Sequence, residues 1–236
     1  MRALSGSDLL AIWEKGSALH PLDRSLLVLA AALPEVPLDT LADWPLGRRN
    51  RELFAQHRDW FGNSLAAQAT CSACGEQMEF ELNCGQLIPA ETVSGHEATV
   101  VFRGETYRVP NSRDLAFALG EGSDPQEGAV RLIESCRVSP HGPVTWSEQD
   151  ISAVGELMAQ ADPGAETRIS FRCPACGQEQ EDALDVTAFL WAEIVARARR
   201  LLREIHTLAS AYGWSEAQVL SLGTARRRFY LEMVEA

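Results

Sequence analysis

No apolar run in this chain approaches the ~20 residues that a membrane-spanning helix needs. The longest, residues 26–33, is far shorter and reads as part of a core helix. The first residues also lack the apolar run of a secretory signal, having one early Arg and then an amphipathic pattern, so the expected location is the cytoplasm. Positive charge is in deficit. The formal net charge is −12, and an acidic chain repels phosphate backbones, which argues against general nucleic-acid binding. Catalytic motifs are missing as well: there is no HExxH, nucleophile elbow or P-loop. The five histidines, His20, His57, His96, His141 and His206, are scattered, and no carboxylate pair stands out. The expectation is a protein that is not an enzyme.

What is present is a globular composition. With 236 residues, 46% of them apolar and 23% charged, the chain can bury one large core or two small ones. Its charge is unevenly spread. Residues 189–236 hold seven Arg and five Glu, a net of +2, which leaves −14 on residues 1–188. The plain reading of that acidity is solubility.

Six cysteines occur, and four of them form two CxxCG units, Cys71-Ser72-Ala73-Cys74-Gly75 and Cys173-Pro174-Ala175-Cys176-Gly177. In a cytoplasmic chain this spacing indicates metal or redox chemistry and not a disulfide framework. One tight turn presents two thiolates, and the following Gly permits the backbone conformation that brings amides to the sulfurs. Two such turns supply four soft ligands, a closed tetrahedral shell for one structural Zn²⁺ with no open position for catalysis. An iron site of rubredoxin type uses the same ligands but normally serves electron transfer, for which nothing else in the sequence speaks. Thioredoxin-like chemistry needs a CxxC at a helix start after a strand. Here each pair precedes a strand. The 98 residues between Cys74 and Cys173 are many for one site, but loop-closure entropy grows only logarithmically with length. Cys84 and Cys136 read as buried core thiols, unneeded as ligands.

The chain around these units changes period several times. Ser5 and Asp8 suggest a capping box for a first helix that stops near Gly16. A second helix starts at Pro21 and ends before Pro34, and a third is expected over residues 45–60, stopped by Gly62. Met78, Phe80 and Leu82 alternate with polar residues as in a strand. Residues 99–109 suggest a hairpin turning at Gly104-Glu105, followed by helices after Ser112, over about 125–136 and from Ser147. Ile169 and Phe171 then lead into the second CxxCG unit, with Leu184 and Val186 alternating after it. A long apolar stripe from Trp191 to Tyr212 marks a C-terminal helix, with Arg197, Arg200, Arg203 and Glu204 on the opposite face. A short helix capped by Ser215 and Gln218 and a last one capped by Thr224 follow.

The expected fold class is therefore α+β, mainly helical, with N- and C-terminal helices around a split zinc-ribbon-like site of four cysteines and a mixed α/β insert. Five regions follow: residues 1–66 (N-terminal helices), 67–86 (first knuckle and strand), 87–170 (insert), 171–188 (second knuckle and strand) and 189–236 (C-terminal helices). In the last region Arg226, Arg227 and Arg228 run together. Trp191, Tyr212, Trp214, Phe229 and Tyr230 read mainly as core by spacing, although Arg and aromatic residues also anchor interfaces.

One stretch carries a family likeness. Glu204-Ile205-His206, Tyr212-Gly213-Trp214-Ser215-Glu216, Val219-Leu220-Ser221-Leu222, Arg226-Arg227-Arg228 and Tyr230-Leu231-Glu232 together resemble the baseplate hub assembly (chaperone) family of contractile phage tails and extracellular contractile injection systems. The N-terminal residues 8–14, Leu26-Leu27 and the two CxxCG units look like the longer injection-system members, whereas residues 110–115 match loosely. The shorter phage members lack the knuckles. The resemblance implies a non-enzymatic part in building a baseplate, with hub or spike proteins as partners and Arg226, Arg227, Arg228, Trp214 and Tyr230 as the partner-binding residues. Two other readings stay open: a permanent structural baseplate component, and a zinc-ribbon adaptor that binds nucleic acid or the transcription machinery. Neither membrane nor general nucleic-acid binding is expected.

Overall fold

The computed structural model describes residues 4–88, 98–120, 124–138, 142 and 144–235. It is a mixed α+β chain in which helices dominate and strands occur as small antiparallel hairpins. The first helix, α1 (Gly6–Gly16), opens with the capping box read from the sequence: Ser5 Oγ accepts from the Asp8 amide, and the Asp8 carboxylate accepts from the Ser5 amide. Next come α2 (Pro21–Ala32), with Pro at its first turn, then α3 (Leu38–Ala42) and α4 (Leu46–Phe61), closed by Gly62 at φ 101°. The short α3 has no sequence signal strong enough to single it out, being one turn long between two prolines and Trp44.

Two hairpins flank the insert. The first is β1 (Ser64–Thr70) with β2 (Gln77–Asn83), followed by the single turn α5 (Cys84–Leu87). The second hairpin pairs Thr167–Arg172 with Glu179–Leu184. Each CxxCG unit is the loop of one hairpin. Apolar periodicity gives no sign of β1, because residues 64–70 contain three alanines and only one bulky apolar side chain, Leu65.

Between them, β3 (Thr99–Phe102) and β4 (Glu105–Arg108) form the expected hairpin, but the turn is Arg103-Gly104, one residue earlier than the sequence suggested. Both residues have positive φ, 50° and 81°, the geometry that matches strand twist in a two-residue turn. The insert continues with α6 (Ser112–Ala118), α7 (Pro125–Ser135) and α8 (Glu148–Ala161), the last again with a Ser–Asp capping box. The second knuckle hairpin follows as β5 (Thr167–Arg172) and β6 (Glu179–Leu184). The chain ends with α9 (Val186–Tyr212), α10 (Glu216–Ser221) and α11 (Thr224–Glu235). The long helix starts at Val186, where Asp185 caps the Thr187 and Ala188 amides; Val186 is thus a helical residue and not part of the alternating strand. The Arg227 amide bonds to the Gly223 carbonyl, so Gly223, not Thr224, occupies the cap position of α11.

Among the described residues three cores result. The largest joins α1, α2 and α4 to α9, with Leu29, Leu53, Phe54, Leu190, Ile194 and Leu208 almost fully buried. At its edge α1 meets α9 so closely that a Cβ on Gly16 would lie 2.4 Å from the Trp191 ring. The second core lies within the insert around Tyr107, Ile133, Cys136 and Val154. The third is small and packs Met78, Phe80 and Phe171 beneath the cysteines.

The insert is fastened to the start of α4 as well as to the hairpins. The Gly47 amide donates to Asp162 (2.8 Å), Asn50 Nδ2 donates to the carbonyls of Gly164 (3.1 Å) and Ala165 (2.9 Å), and the Leu46 amide donates to the Pro110 carbonyl (3.1 Å). Gly47 has no room for a side chain, since a Cβ would fall 1.9 Å from Asp162.

Candidate metal centre

Each hairpin loop builds half of the site in the same way. Gly75 N–H donates to the Cys71 carbonyl and Cys71 N–H to the Glu76 carbonyl; Gly177 and Cys173 repeat these bonds with the Cys173 and Gln178 carbonyls, all at 2.8–2.9 Å. Gly75 and Gly177 take φ 78° and 75°, a left-handed conformation that a side chain would strain. This is why both loops carry Gly directly after the second cysteine.

The halves face each other. Cys71 Sγ lies 3.6 Å from Cys176 Sγ, Cys74 Sγ lies 3.7 Å from Cys173 Sγ, and all four sulfurs fall within 4.8 Å of one another. These separations are far beyond the ~2.05 Å of a disulfide. A tetrahedron of thiolates at ~2.3 Å from a metal has edges of about 3.8 Å, which these two pairs match. The donor set therefore fits a metal ion. Cys71 and Cys173 are buried, whereas Cys74 and Cys176 are exposed, so the cluster sits at the surface with its inner half in the small core.

The electrostatics favour a cation. Amides of Ala73 and Cys74 bring the Cys71 thiol down to about 7. The Glu76 amide also pulls on Cys74, but the neighbouring thiols, Cys176 foremost, together with burial outweigh it and push that thiol up to about 12. Cys176 is raised too: the Gln178 amide favours its thiolate, while burial and the Cys71 and Cys173 thiols oppose it. Backbone amides thus favour the thiolate of Cys71, the form that ligates a metal.

The sequence did not reveal what locks the halves together. Gln180 reaches across from β6, accepting from the Ser72 amide (3.1 Å) and donating to the Thr70 carbonyl (3.3 Å). The internal repeat places Pro174 opposite Ser72 and Met78 opposite Gln180. Pro174 has no N–H to offer, and Met78 is buried in the small core, so one side of the pseudo-repeat is hydrogen-bonded and the other apolar. Phe80 and Phe171 complete the contact with ring centroids 5.5 Å apart.

Cys84 and Cys136 stand apart from the cluster. Cys84 is fully buried in the main core with its Sγ 3.2 Å from Nδ1 of the buried His57. Burial raises the Cys84 thiol and lowers His57, which drives each toward its neutral form. Cys136 lies in the insert core, where burial pushes it up to about 12. His20 caps α2 by accepting from the Leu22 amide, and His206 is exposed on α9. His96 and His141 lie outside the described residues.

The C-terminal candidates divide. Arg226 and Arg228 are exposed, but Arg227 turns inward, with Nη1 donating to the Leu222 carbonyl (2.7 Å) and Nε 3.3 Å from Glu204 on α9. Trp214 and Tyr230 are partly buried in a cluster with Tyr212, their centroids 5.0 Å apart. Phe229, read by spacing as core, is 62% exposed on α11, next to exposed Met233. Residue spacing on so short a helix did not distinguish the two faces.

Comparison with protein-family models, with curated proteins and with solved structures gives no match. No helix among the described residues is long and apolar enough to cross a membrane.

Proposed function

We propose that Cys71, Cys74, Cys173 and Cys176 hold one structural Zn²⁺ as a split zinc ribbon, and that the chain is a non-enzymatic assembly factor for the baseplate hub of a contractile injection system or phage tail. The observation that carries the metal assignment is the pair of 3.6–3.7 Å sulfur separations across two identically bonded loops. Four thiolates with no vacant position give a closed shell, so the ion would contribute folding energy and no catalysis. It would clip the two hairpins at the base of the insert.

The assembly role rests on the C-terminal likeness together with the character of the surface there. Arg226, Arg228, Phe229 and Met233 make an exposed basic and apolar face on α11. Aromatic, Met and Arg side chains are the types enriched at protein interfaces. Trp214 and Tyr230 pack against each other over the main core. A nucleic-acid adaptor is disfavoured by the ribbon surface, where Glu76, Glu79, Glu81, Glu179, Glu181 and Asp182 are all exposed. The test is expression of the whole gene cluster with Arg226→Ala, Arg228→Ala and Phe229→Ser combined, leaving Arg227 intact. The reading expects loss of co-purification with hub or spike proteins and fewer assembled particles. Normal particles from a folded variant would refute it. Mass spectrometry of purified particles separates a departing factor from a permanent component.

A further inference from the structure

Two adjoining hollows meet at Leu4 and Trp60, which line both. One, of about 330 Å³, lies between α1 and α2 and is floored by Ala11, Ile12, Leu27, Ala30 and Ala31. The charges at its rim, Asp8 and Lys15, cancel. The other, of about 180 Å³, lies between the start of α1, α9 and the start of α11, and carries Arg197, Arg200 and Arg227 with Glu204. Leu4 and Trp60 are common walls, so the hollows lie side by side; the pair is termed the trough, with an apolar end and a basic end.

Among the described residues the basic end is only partly neutralised. Arg200 and Arg227 share the single carboxylate of Glu204, at 3.5 and 3.3 Å. Arg197 is 3.7 Å from Glu193 and lies over the Phe61 ring. Arg200 remains 64% exposed. With Glu193 counted beside Arg197, the balance is three guanidinium groups to two carboxylates, in a chain whose net charge is −12. Local excess of the minority charge is the electrostatic footprint of an anionic partner.

We infer that this trough docks an amphipathic acidic helix of another protein, with its apolar stripe on α1 and α2 and its Asp and Glu residues on Arg200 and Arg197. A groove between two helices is the usual seat for a third, whose anchors repeat at i, i+3/i+4 and i+7. The alanines at positions 11, 30 and 31 are small enough to let a helix backbone come close. This site is separate from the outer face of α11, and the inference stands or falls without any baseplate role.

The test pans displayed random peptides of about 16 residues, roughly four helical turns, against the full chain. The expected binders carry apolar residues at helical spacing and an excess of Asp and Glu, and saturate at one per chain. Arg200→Glu and Ala11→Glu, both at exposed positions, should each weaken them by about tenfold or more at unchanged melting temperature. Arg228→Glu, on α11, and Val138→Glu, in the insert, should leave affinity unchanged. Absence of saturable binders, binders without an acidic excess, or binding that ignores both Arg200→Glu and Ala11→Glu would overturn the inference. So would binding that Arg228→Glu abolishes while Arg200→Glu does not.

Discussion

At the scale of single residues, neighbours of similar chemistry have different jobs. Arg227 sits between two exposed arginines yet ties α11 to Glu204 and the Leu222 carbonyl. Arg227→Ala should therefore destabilise the chain by about 1–2 kcal/mol, against less than ~0.5 for Arg226→Ala or Arg228→Ala. Chemical denaturation of the three variants compares them directly, and equal effects would contradict the assignment. His57 gives a pH prediction. Burial lowers its folded pKa below the ordinary 6.5. In the window from 6.5 down through that lower value the unfolded chain binds the extra proton, so stability falls as pH falls. His57→Gln should flatten unfolding free energy measured across that window; an unchanged slope would show that another group sets it. The pairing of His57 with Cys84 was not legible, since the two are far apart in sequence and neither belongs to a motif.

At the scale of elements, capping chemistry and apolar period were informative. Ser5–Asp8 and Ser215–Gln218 became the capping boxes their spacing implied. The CxxCG units became matching loops because Gly75 and Gly177 satisfy a local backbone requirement that a sequence states outright. β1 and α3 were illegible because their residues are small or few and carry no marked apolar period; β1 takes its conformation from pairing with β2. The fastening of the insert to α4 was hidden as well: Asn50 and Gly47 look ordinary in an Arg-rich helix until Asp162, Gly164 and Ala165 are seen against them. Asn50→Ala removes the bonds to the Gly164 and Ala165 carbonyls and the two that Asn50 Oδ1 accepts from the buried Arg49, and should cost about 1–3 kcal/mol. Urea unfolding would measure it, and a loss under ~0.5 kcal/mol would show that the contact contributes little.

At the scale of the whole molecule, the four cysteines meet from two hairpins about 100 residues apart. The sequence showed that two knuckles exist and suggested that they meet; the Gln180 bridge and the Phe80–Phe171 contact supply the physical reason they do. A Zn²⁺ at this site would bind the folded chain and not the unfolded one, so its binding free energy would add to folding stability. Cys173→Ser should thus lower stability far more than Cys136→Ser, a packing change on the order of 1 kcal/mol. Equal melting temperatures for the two variants would count against a clip at this site. The most direct measurement is elemental analysis of the purified full chain combined with X-ray absorption at the zinc edge. The account predicts one zinc per chain bound by four sulfurs at ~2.3 Å, with chelation lowering the melting temperature. A metal-free chain of undiminished stability, a different metal in place of zinc, or a zinc shell containing nitrogen or oxygen would contradict it.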